Sequence, residues 1–488
     1  MNRRDFIKTA AAGTGAALAG THLLGQTAAP AASKKGETMV GMPICVQPLA
    51  GNDLDRILAD MREKAGVNAL FPFMYSHEEH RAGVYGPKFR GGNYGVPHMQ
   101  YYKDTVLTAE DMRAPEFGGL DVLERTIEAG KKAGIKVFPF VLEDNHRPAI
   151  ANWDKLAEVD FHGRMQQYPC KNNPYYRGWL TGLVEDYARS YEIGGMMWGA
   201  ERQSGFLNAA GLAMGGGGDP GKATCFCDYC TKKARSEGVD PERARQGFIR
   251  LEAFMRACKA GTKPADGHFT TFWRLLLNYP ELLYWENLWV RGRHQIQAEM
   301  YARMKSVNPA LPIGWHIWQN ITFSPFQRGE EDYGVMKANS DFVRPAVYAN
   351  AGGERMKAFA KAAQGAVLGD FKAAEAQALV YRMMGYDEAP YDRVAQTGLS
   401  AGYVEHETRR AVEGLAGTAA QVWPGIDIDV PVPPGPGVSH CTPESVKAEV
   451  KAVFAGGGKG IILSRNYIEM KPENLAAAGE ALRELGLI

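Results

Sequence analysis

The sequence predicts an α/β protein with the (β/α)8 TIM-barrel fold. Eight short apolar runs, bounded by glycine or turn residues, alternate with stretches of helical periodicity along the 488 residues. The runs lack the apolar–polar alternation of a half-exposed strand, so we expect strands buried on both faces of a parallel sheet. Eight strand–helix repeats favour a closed barrel. An open, doubly wound sheet is the alternative, but no glycine-rich phosphate-binding motif follows the first strand.

The predicted strands are spread along the whole chain. In order, they are MVGMPICVQPL, VNALFPFMY, IKVFPFVLED, IGGMMWGAE, LPIGWHIW, DFVRPAVY, GTAAQVWPGIDIDVP and KGIILSR. Two long insertions interrupt the repeat, residues 76–118 after the second strand and residues 202–285 after the fourth. Because segments that follow barrel strands lie on the catalytic face, we expect both insertions at the mouth of the site. No linker divides residues 36–488, which we expect to form one domain.

The first 35 residues differ from the rest in composition. A paired-arginine segment, NRRDFIK, precedes the uncharged run TAAAGTGAALAGTHLLG. This pattern predicts a twin-arginine signal peptide, with the basic start of an amphipathic helix as the alternative. No cysteine ends the run, and no later segment has the apolar length of a membrane span. We therefore expect a periplasmic or secreted protein with no membrane anchor after signal cleavage.

The overall charge argues against a role in nucleic-acid binding. Lysine and arginine number 56 against 55 aspartate and glutamate residues, and no basic run carries interleaved aromatic residues. A nucleic-acid-binding protein normally shows a basic patch of this kind. The composition is that of an ordinary globular protein with a large core, and it is compatible with an oligomer.

Three cysteines crowd into the segment TCFCDYC, at positions 225, 227 and 230. Thiolates are good zinc ligands, and this spacing can offer three of them to one tetrahedral ion. Cys170, in YPCKNNPYYR, is the best candidate for the fourth ligand, and Cys258 or a histidine is the alternative. A closed four-thiolate site would hold a structural zinc. A disulfide within the cluster or a reactive thiol are the other interpretations.

The segment 168–232 resembles the zinc-binding β-galactosidases of glycoside hydrolase family 42. The resemblance rests on Cys-Lys-Asn-x-Pro-x-Tyr-Arg, a helix, a strand that ends in glutamate, and then Cys-x-Cys-x-x-Cys. It implies that Glu201 is the general acid/base. It also implies a structural zinc bound by Cys170, Cys225, Cys227 and Cys230. One departure is Ala200, where the family has asparagine, and this suggests a relative of the family rather than a true member.

A glycosidase needs two carboxylates, about 5–5.5 Å apart for retention of configuration and about 6.5–9.5 Å apart for inversion. Glu201 follows an apolar strand beside Trp198, and an apolar neighbour favours a protonated carboxyl. An ion pair with Arg202 is its alternative role. The resemblance implies that the partner is a glutamate nucleophile at the end of the seventh strand, where this chain has no glutamate but carries Asp427 and Asp429 in WPGIDIDVP. Strand alternation points both aspartates to the same side, so we expect either or both to face the mouth. Their alternative role is to cap a loop or bind a cation.

Aromatic and polar residues beside the predicted strand ends suit a sugar site. Such sites combine carboxylates with flat aromatic faces that cover the apolar side of a sugar ring. A tryptophan in such a position is as often part of the barrel core. The candidate substrate-binding residues are Trp198, His316, Trp318, Asn320, Tyr348, Trp423, His77, Asp144 and His146.

The sequence therefore predicts an exported enzyme resembling glycoside hydrolases, which cleaves an oligosaccharide or glycoside by paired carboxylate chemistry. Two alternatives stay open. A carbohydrate-binding barrel without catalysis would explain the missing glutamate on the seventh strand. A metal-dependent hydrolase or isomerase would use the histidines at the strand ends, although no His-x-His or His-x-x-x-His spacing supports it.

Overall fold

A computed structural model describes residues 38–76, 92–143, 152–212, 218–432 and 437–488. The predicted signal peptide and the candidates His77, Asp144 and His146 lie outside these ranges. Within them, no helix is long and apolar enough to cross a membrane.

Parallel strands form a closed barrel, which confirms the predicted fold. Each strand pairs with its predecessor, and the eighth pairs with the first. The strands are β1 Met39–Ile44, β2 Ala69–Ser76, β3 Phe140–Glu143, β4 Met196–Ala200, β5 Ile313–Ile317, β6 Phe342–Pro345, β7 in two pieces, Gln421–Val422 and Gly425–Asp427, and β8 Gly460–Ser464. Pro424 lies between the two pieces of β7 and has no N–H to donate to a ladder. The bridge between Ala346 and Gly425 continues the pairing past this break.

A ring of helices covers the barrel. The helix that follows each strand in this ring is α1 Leu54–Ala65, α2 Val122–Ala133, α3 Pro174–Ser190, α4 Glu281–Val307, α5 Tyr333–Met336, α6 Ala401–Gly414, α7 Pro443–Ala455 and α8 Pro472–Glu484. Local sequence sets several of their ends. The side chain of Asn173 caps α3 with proline next in the chain, and Gly66 and Gly134 end α1 and α2 in the left-handed conformation.

The connections after the strands carry the remaining elements. Further helices are Val46–Ala50, Ala109–Met112, Gly205–Ala209, Asp228–Ser236, Pro241–Lys259, His268–Asn278, Pro325–Glu330, Ala349–Gln364, Ala373–Met384 and Val394–Thr397. Single 3-10 turns lie at Met99–Tyr101, Trp153–Lys155, Pro220–Lys222, Gln319–Thr322, Lys337–Asn339 and Tyr467–Glu469. Short strands are Gly92–Asn93, Lys136–Val137 and the hairpin of Ala157–Val159 and Met165–Pro169. Four of these helices belong to the 202–285 insertion.

Two apolar layers follow from the alternation of side chains along the strands. One fills the barrel interior and includes Phe71, Phe140 and Phe342. The other lies between the strands and the helices and includes Trp198 and Trp315. Because successive residues of a strand point to opposite faces, a residue's position along its strand decides which layer it joins.

Candidate active site

A polar layer closes the barrel interior at the mouth, the opening at the carboxyl ends of the strands. It consists of His316 from β5, Arg344 from β6 and Ser464 from β8, all nearly or fully buried. Arg344 lies two residues after Phe342, which belongs to the interior cluster, so alternation points Arg344 inward as well. The interior therefore changes from apolar to polar where the strands end.

Two glycines provide the space for this layer. A Cβ added at Gly199 would lie 2.7 Å from the Cβ of His316, and one added at Gly425 would lie 2.4 Å from the Cζ of Arg344. Real Cβ atoms do not approach other heavy atoms this closely. Glycine on β4 and β7 thus lets the larger side chains on β5 and β6 fill the mouth.

Glu201 is held at the mouth by His316. The Nε2 of His316 lies 2.7 Å from the Oε1 of Glu201, and on its other side the Nδ1 lies 2.7 Å from the Nη1 of Arg344. The Glu201 side chain is 23% exposed, whereas that of His316 is 1% exposed. Burial, followed by the charge of Arg344, lowers the pKa of His316 and favours a neutral ring. The carboxylate that solvent reaches is therefore oriented by a neutral imidazole.

Two arginines and a tyrosine surround this contact. Arg344 donates to the hydroxyl of Tyr348 at 2.8 Å and also to Ser464. Arg355, from the helix after β6, donates to the Oε1 of Gln319 at 2.6 Å, and its guanidinium lies 5.5 Å from the ring of Tyr348. The candidate substrate residue Tyr348 is itself buried, and the guanidinium groups of Arg344 and Arg355 each lie 5.5 Å from its ring.

The aspartates of the seventh strand do not join Glu201. Asp427 is fully buried and accepts backbone N–H groups from Ala351 at 2.7 Å and Val430 at 2.8 Å. Burial raises its pKa. Asp429 adopts a left-handed backbone, with φ 56°, so strand alternation has ended before it. It accepts the backbone N–H of Lys471 at 2.9 Å. Both aspartates therefore bind neighbouring backbone, and the predicted alternation ends before Asp429.

The predicted aromatic platform is dispersed through the fold. Trp198 is 1% exposed in the layer between strands and helices, where its ring meets Trp315 edge-on. Trp423 stacks on Phe342 at the amino ends of the strands, 4.0 Å between ring centroids. Neither presents a ring face at the mouth. Strand alternation points Trp198 outward to the helices, and Trp423 lies near the start of β7, at the opposite end of the barrel. Trp318, directly after β5, is half-buried.

Asn320 is also buried near the end of β5. It is 1% exposed, and neither its amide oxygen nor its amide nitrogen has a hydrogen-bond partner among the described residues. The site residues that sequence reasoning missed are Arg355 and Ser464. Ser464 ends an apolar run, and a polar residue at the end of a barrel strand is the signal that could have found it.

The four cysteines meet at one point, as the motif predicts. Their sulfur atoms all lie within 4.8 Å of one another, and the Sγ of Cys170 lies 3.5 Å from the Sγ of Cys227 and of Cys230. Four sulfurs at about 2.3 Å from a tetrahedral zinc would lie about 3.8 Å apart. All seven cysteines of the chain are free thiols. The donor set therefore fits one metal ion such as zinc, with no position left open.

The surroundings of the cluster suit thiolates. Cys227 precedes the helix Asp228–Ser236, whose amino end favours a negative charge. Hydrogen bonds with the neighbouring cysteines, first with Cys170, hold the pKa of Cys227 well below its ordinary value. The amide of Asn172 donates to the sulfur of Cys230 at 3.5 Å. The cluster ties the 202–285 insertion to the segment before α3.

Comparisons with known proteins support the fold. No protein-family model matches the chain, and no curated protein matches it. The β-galactosidase of the Antarctic haloarchaeon Halorubrum lacusprofundi is 13% identical with a TM-score of 0.51, over 92% of this chain and 58% of that one. The β-galactosidase of the psychrophilic Marinomonas ef1 is 10% identical with a TM-score of 0.50, over 92% and 61%. That of Rahnella sp. R3 is 13% identical with a TM-score of 0.50, over 93% and 57%.

This chain therefore spans little more than half the length of these solved β-galactosidases. The similarity to these β-galactosidases confirms the predicted TIM-barrel fold.

Proposed function

We propose that this protein is a glycosidase and that Glu201 is the carboxylate that exchanges a proton with the glycosidic oxygen. The observation that carries the proposal is the position of Glu201. It directly follows β4, is partly open to solvent, and is held by His316 at the mouth of a glycosidase-type barrel. Catalytic residues of such barrels come from the ends of the strands.

The proposal also needs a second carboxylate. Asp427 is the candidate from the sequence, and Arg355 interacts electrostatically with both Asp427 and Glu201. A buried aspartate that already accepts two backbone N–H groups would have to be exposed by movement of the helix after β6. A carbohydrate-binding barrel without catalysis is therefore the second candidate function.

Turnover by the mature protein tests the proposal against Glu201→Gln. A panel of aryl glycosides and of plant and microbial oligosaccharides is supplied to both proteins. We expect Glu201→Gln to lower kcat by about 100-fold or more, because general acid–base catalysis contributes about 100- to 10,000-fold. The control is Glu405→Gln, a partly exposed carboxylate on α6 that pairs with Arg409 and should leave turnover unchanged.

The results separate the candidate functions. Saccharide binding without turnover in the wild type would establish the binding barrel instead. Equal turnover by the wild type and Glu201→Gln would show that another carboxylate carries the reaction.

We also propose that a zinc ion bound by Cys170, Cys225, Cys227 and Cys230 is structural. Four thiolates complete the tetrahedron, so the ion would cross-link the insertion to the segment before α3.

Export by the twin-arginine route is proposed from residues 1–35 alone. Cell fractionation of the full chain, compared with a variant carrying lysine in place of Arg3 and Arg4, tests it. Equal accumulation of both proteins outside the cytoplasm would contradict this route.

A further inference from the structure

The contact between Arg344 and His316 fixes which ring nitrogen of the histidine carries the proton. A guanidinium has only N–H donors and stays protonated in proteins, so it cannot accept a hydrogen bond. The Nδ1 of His316, 2.7 Å from the Nη1 of Arg344, must therefore be the acceptor of this bond. A neutral imidazole that accepts at Nδ1 carries its proton on Nε2.

The proton on Nε2 then points at Glu201. The Nε2 and the Oε1 of Glu201 are 2.7 Å apart, so the ring donates to the carboxylate. A hydrogen bond donated to a carboxylate favours its ionised form. We propose that Arg344 is a positioning residue, which locks His316 as the Nε2–H tautomer and so holds Glu201 ionised and oriented before substrate binds.

The surroundings keep His316 from taking the second proton. Its side chain is 1% exposed, and Arg344 occupies the nitrogen that would have to bind that proton. Arg344 is held in turn by the hydroxyl groups of Tyr348 and Ser464. Three strands thus contribute to one preset hydrogen-bond chain that ends at Glu201.

The charged groups that face this chain come from several elements. His316 meets Glu201 from the β4 side and Arg344 from β6, and the ring of Phe140 on β3 packs against it edge-on at 5.6 Å. Glu201 also interacts electrostatically with Arg355, which interacts with Asp427 and with Arg465 after β8. Arg355 is therefore a cationic neighbour of Glu201, and it adds to the effect of His316.

The ionisation state of Glu201 decides which step of the reaction it can perform, and this part of the inference rests on the proposed function. An ionised Glu201 is ready to act as a base or nucleophile, and it must first take up a proton to act as an acid. Without Arg344, the ring can adopt the other tautomer, whose Nε2 lone pair faces Glu201 and favours a protonated carboxyl. The limb of the pH–rate profile that Glu201 governs then moves to higher pH.

Nitrogen NMR of histidine in the substrate-free protein tests the tautomer directly. The protein is labelled with ¹⁵N in histidine, and the His316 signals are assigned by their loss in His316→Gln. We expect a protonated Nε2 and an unprotonated Nδ1 across neutral pH. A protonated Nδ1, or a doubly protonated ring at neutral pH, would overturn the proposal on the wild-type spectrum alone.

Substitutions of Arg344 test its role. Arg344→Met removes the donor and should produce a mixture of both tautomers, whereas Arg344→Lys retains a cationic donor and should restore the wild-type tautomer. The same single tautomer in Arg344→Met would show that Arg344 does not select it. The matched control is Arg293→Met, which removes a buried arginine that pairs with Glu331 on another part of the barrel and should leave the His316 signals unchanged.

The pH–rate profile adds the functional readout. Because Arg344→Met weakens a hydrogen bond to a charged carboxylate, we expect it to move the Glu201 limb upward by about one to two pH units. Movement of the alkaline limb would identify Glu201 as the acid, and movement of the acidic limb as the base or nucleophile. An unmoved profile in a folded Arg344→Met would contradict the proposal.

The two proposals fail in different ways. A wild type without turnover but with the expected tautomer would refute glycosidase activity and retain the hydrogen-bond chain. Turnover that depends on Glu201, combined with the opposite tautomer, would support glycosidase activity and refute the hydrogen-bond chain.

Discussion

The cysteine cluster and the mouth of the barrel both include residues from the segment that follows β4, but they are assembled in different ways. Three of the four cysteines lie within the six residues of Cys225–Cys230, and only Cys170 comes from elsewhere. The mouth instead takes one residue from the end of each of four strands, namely Glu201, His316, Arg344 and Ser464. A set of possible metal ligands can thus be encoded in a short motif, whereas the polar layer at the mouth depends on the closure of the whole barrel.

A buried ion pair connects these two regions. Arg202 follows Glu201 in the chain and donates to Glu158 at 2.9 Å, with both side chains at most 5% exposed. The hydroxyl of Thr224, the residue before Cys225, donates to the same carboxylate at 2.6 Å. Glu158 therefore links the segment after β4 to the start of the cysteine motif.

The largest effect is expected from Cys227→Ser, which asks whether the cysteine cluster can fail by itself. A serine hydroxyl is a poor substitute for a thiolate ligand, so the protein should lose its zinc and on the order of 5 kcal/mol of stability. Metal analysis and thermal unfolding measure the two losses. Glu201 is held by residues of other strands, and the substitution leaves those contacts intact. Turnover well below the melting temperature should therefore stay within about threefold of wild type.

Cys258→Ser is the matched control for that experiment. Cys258 is a half-buried thiol on the helix Pro241–Lys259, outside the cluster, so zinc content should stay the same. Normal zinc content and normal melting in Cys227→Ser would remove the structural-site proposal. A large loss of turnover in a protein that is still folded would show that the mouth depends on the cluster.

The same contrast explains what the sequence could predict. The eight strands were predictable because each is a continuous apolar run, and the cysteine cluster because its spacing is that of a metal site. Residue type alone does not tell which layer a side chain joins. Trp198 and Trp423 both lie in apolar runs, yet one packs outside the barrel and the other at its base.

The polar layer shows the same limit. Arg344 and Ser464 end two apolar strands that are far apart in sequence, and their hydrogen bond exists only once β6 and β8 lie in one barrel. Asp429 departs from the predicted strand alternation for a local reason, because its left-handed backbone ends the alternation.

A smaller loss of stability, with effects on both the cysteine cluster and the mouth, is expected from Arg202→Met. Removing one partner of a buried ion pair leaves the other charge uncompensated, at a cost of about 3 kcal/mol. The hydrogen bond from Thr224 to Glu158 would then be weakened. The segment after Glu201 would also lose its ion pair with Glu158. We expect both a weaker affinity for zinc and a lower kcat, measured by chelator competition and by turnover.

Arg202→Met combined with Glu158→Gln should recover at least half of the lost stability, because an uncharged amide needs no cation beside it. If the double variant melts no higher than Arg202→Met, the loss comes from the packing of the arginine on Tyr168, whose ring lies 4.6 Å from the guanidinium, and the ion pair does not couple the two regions.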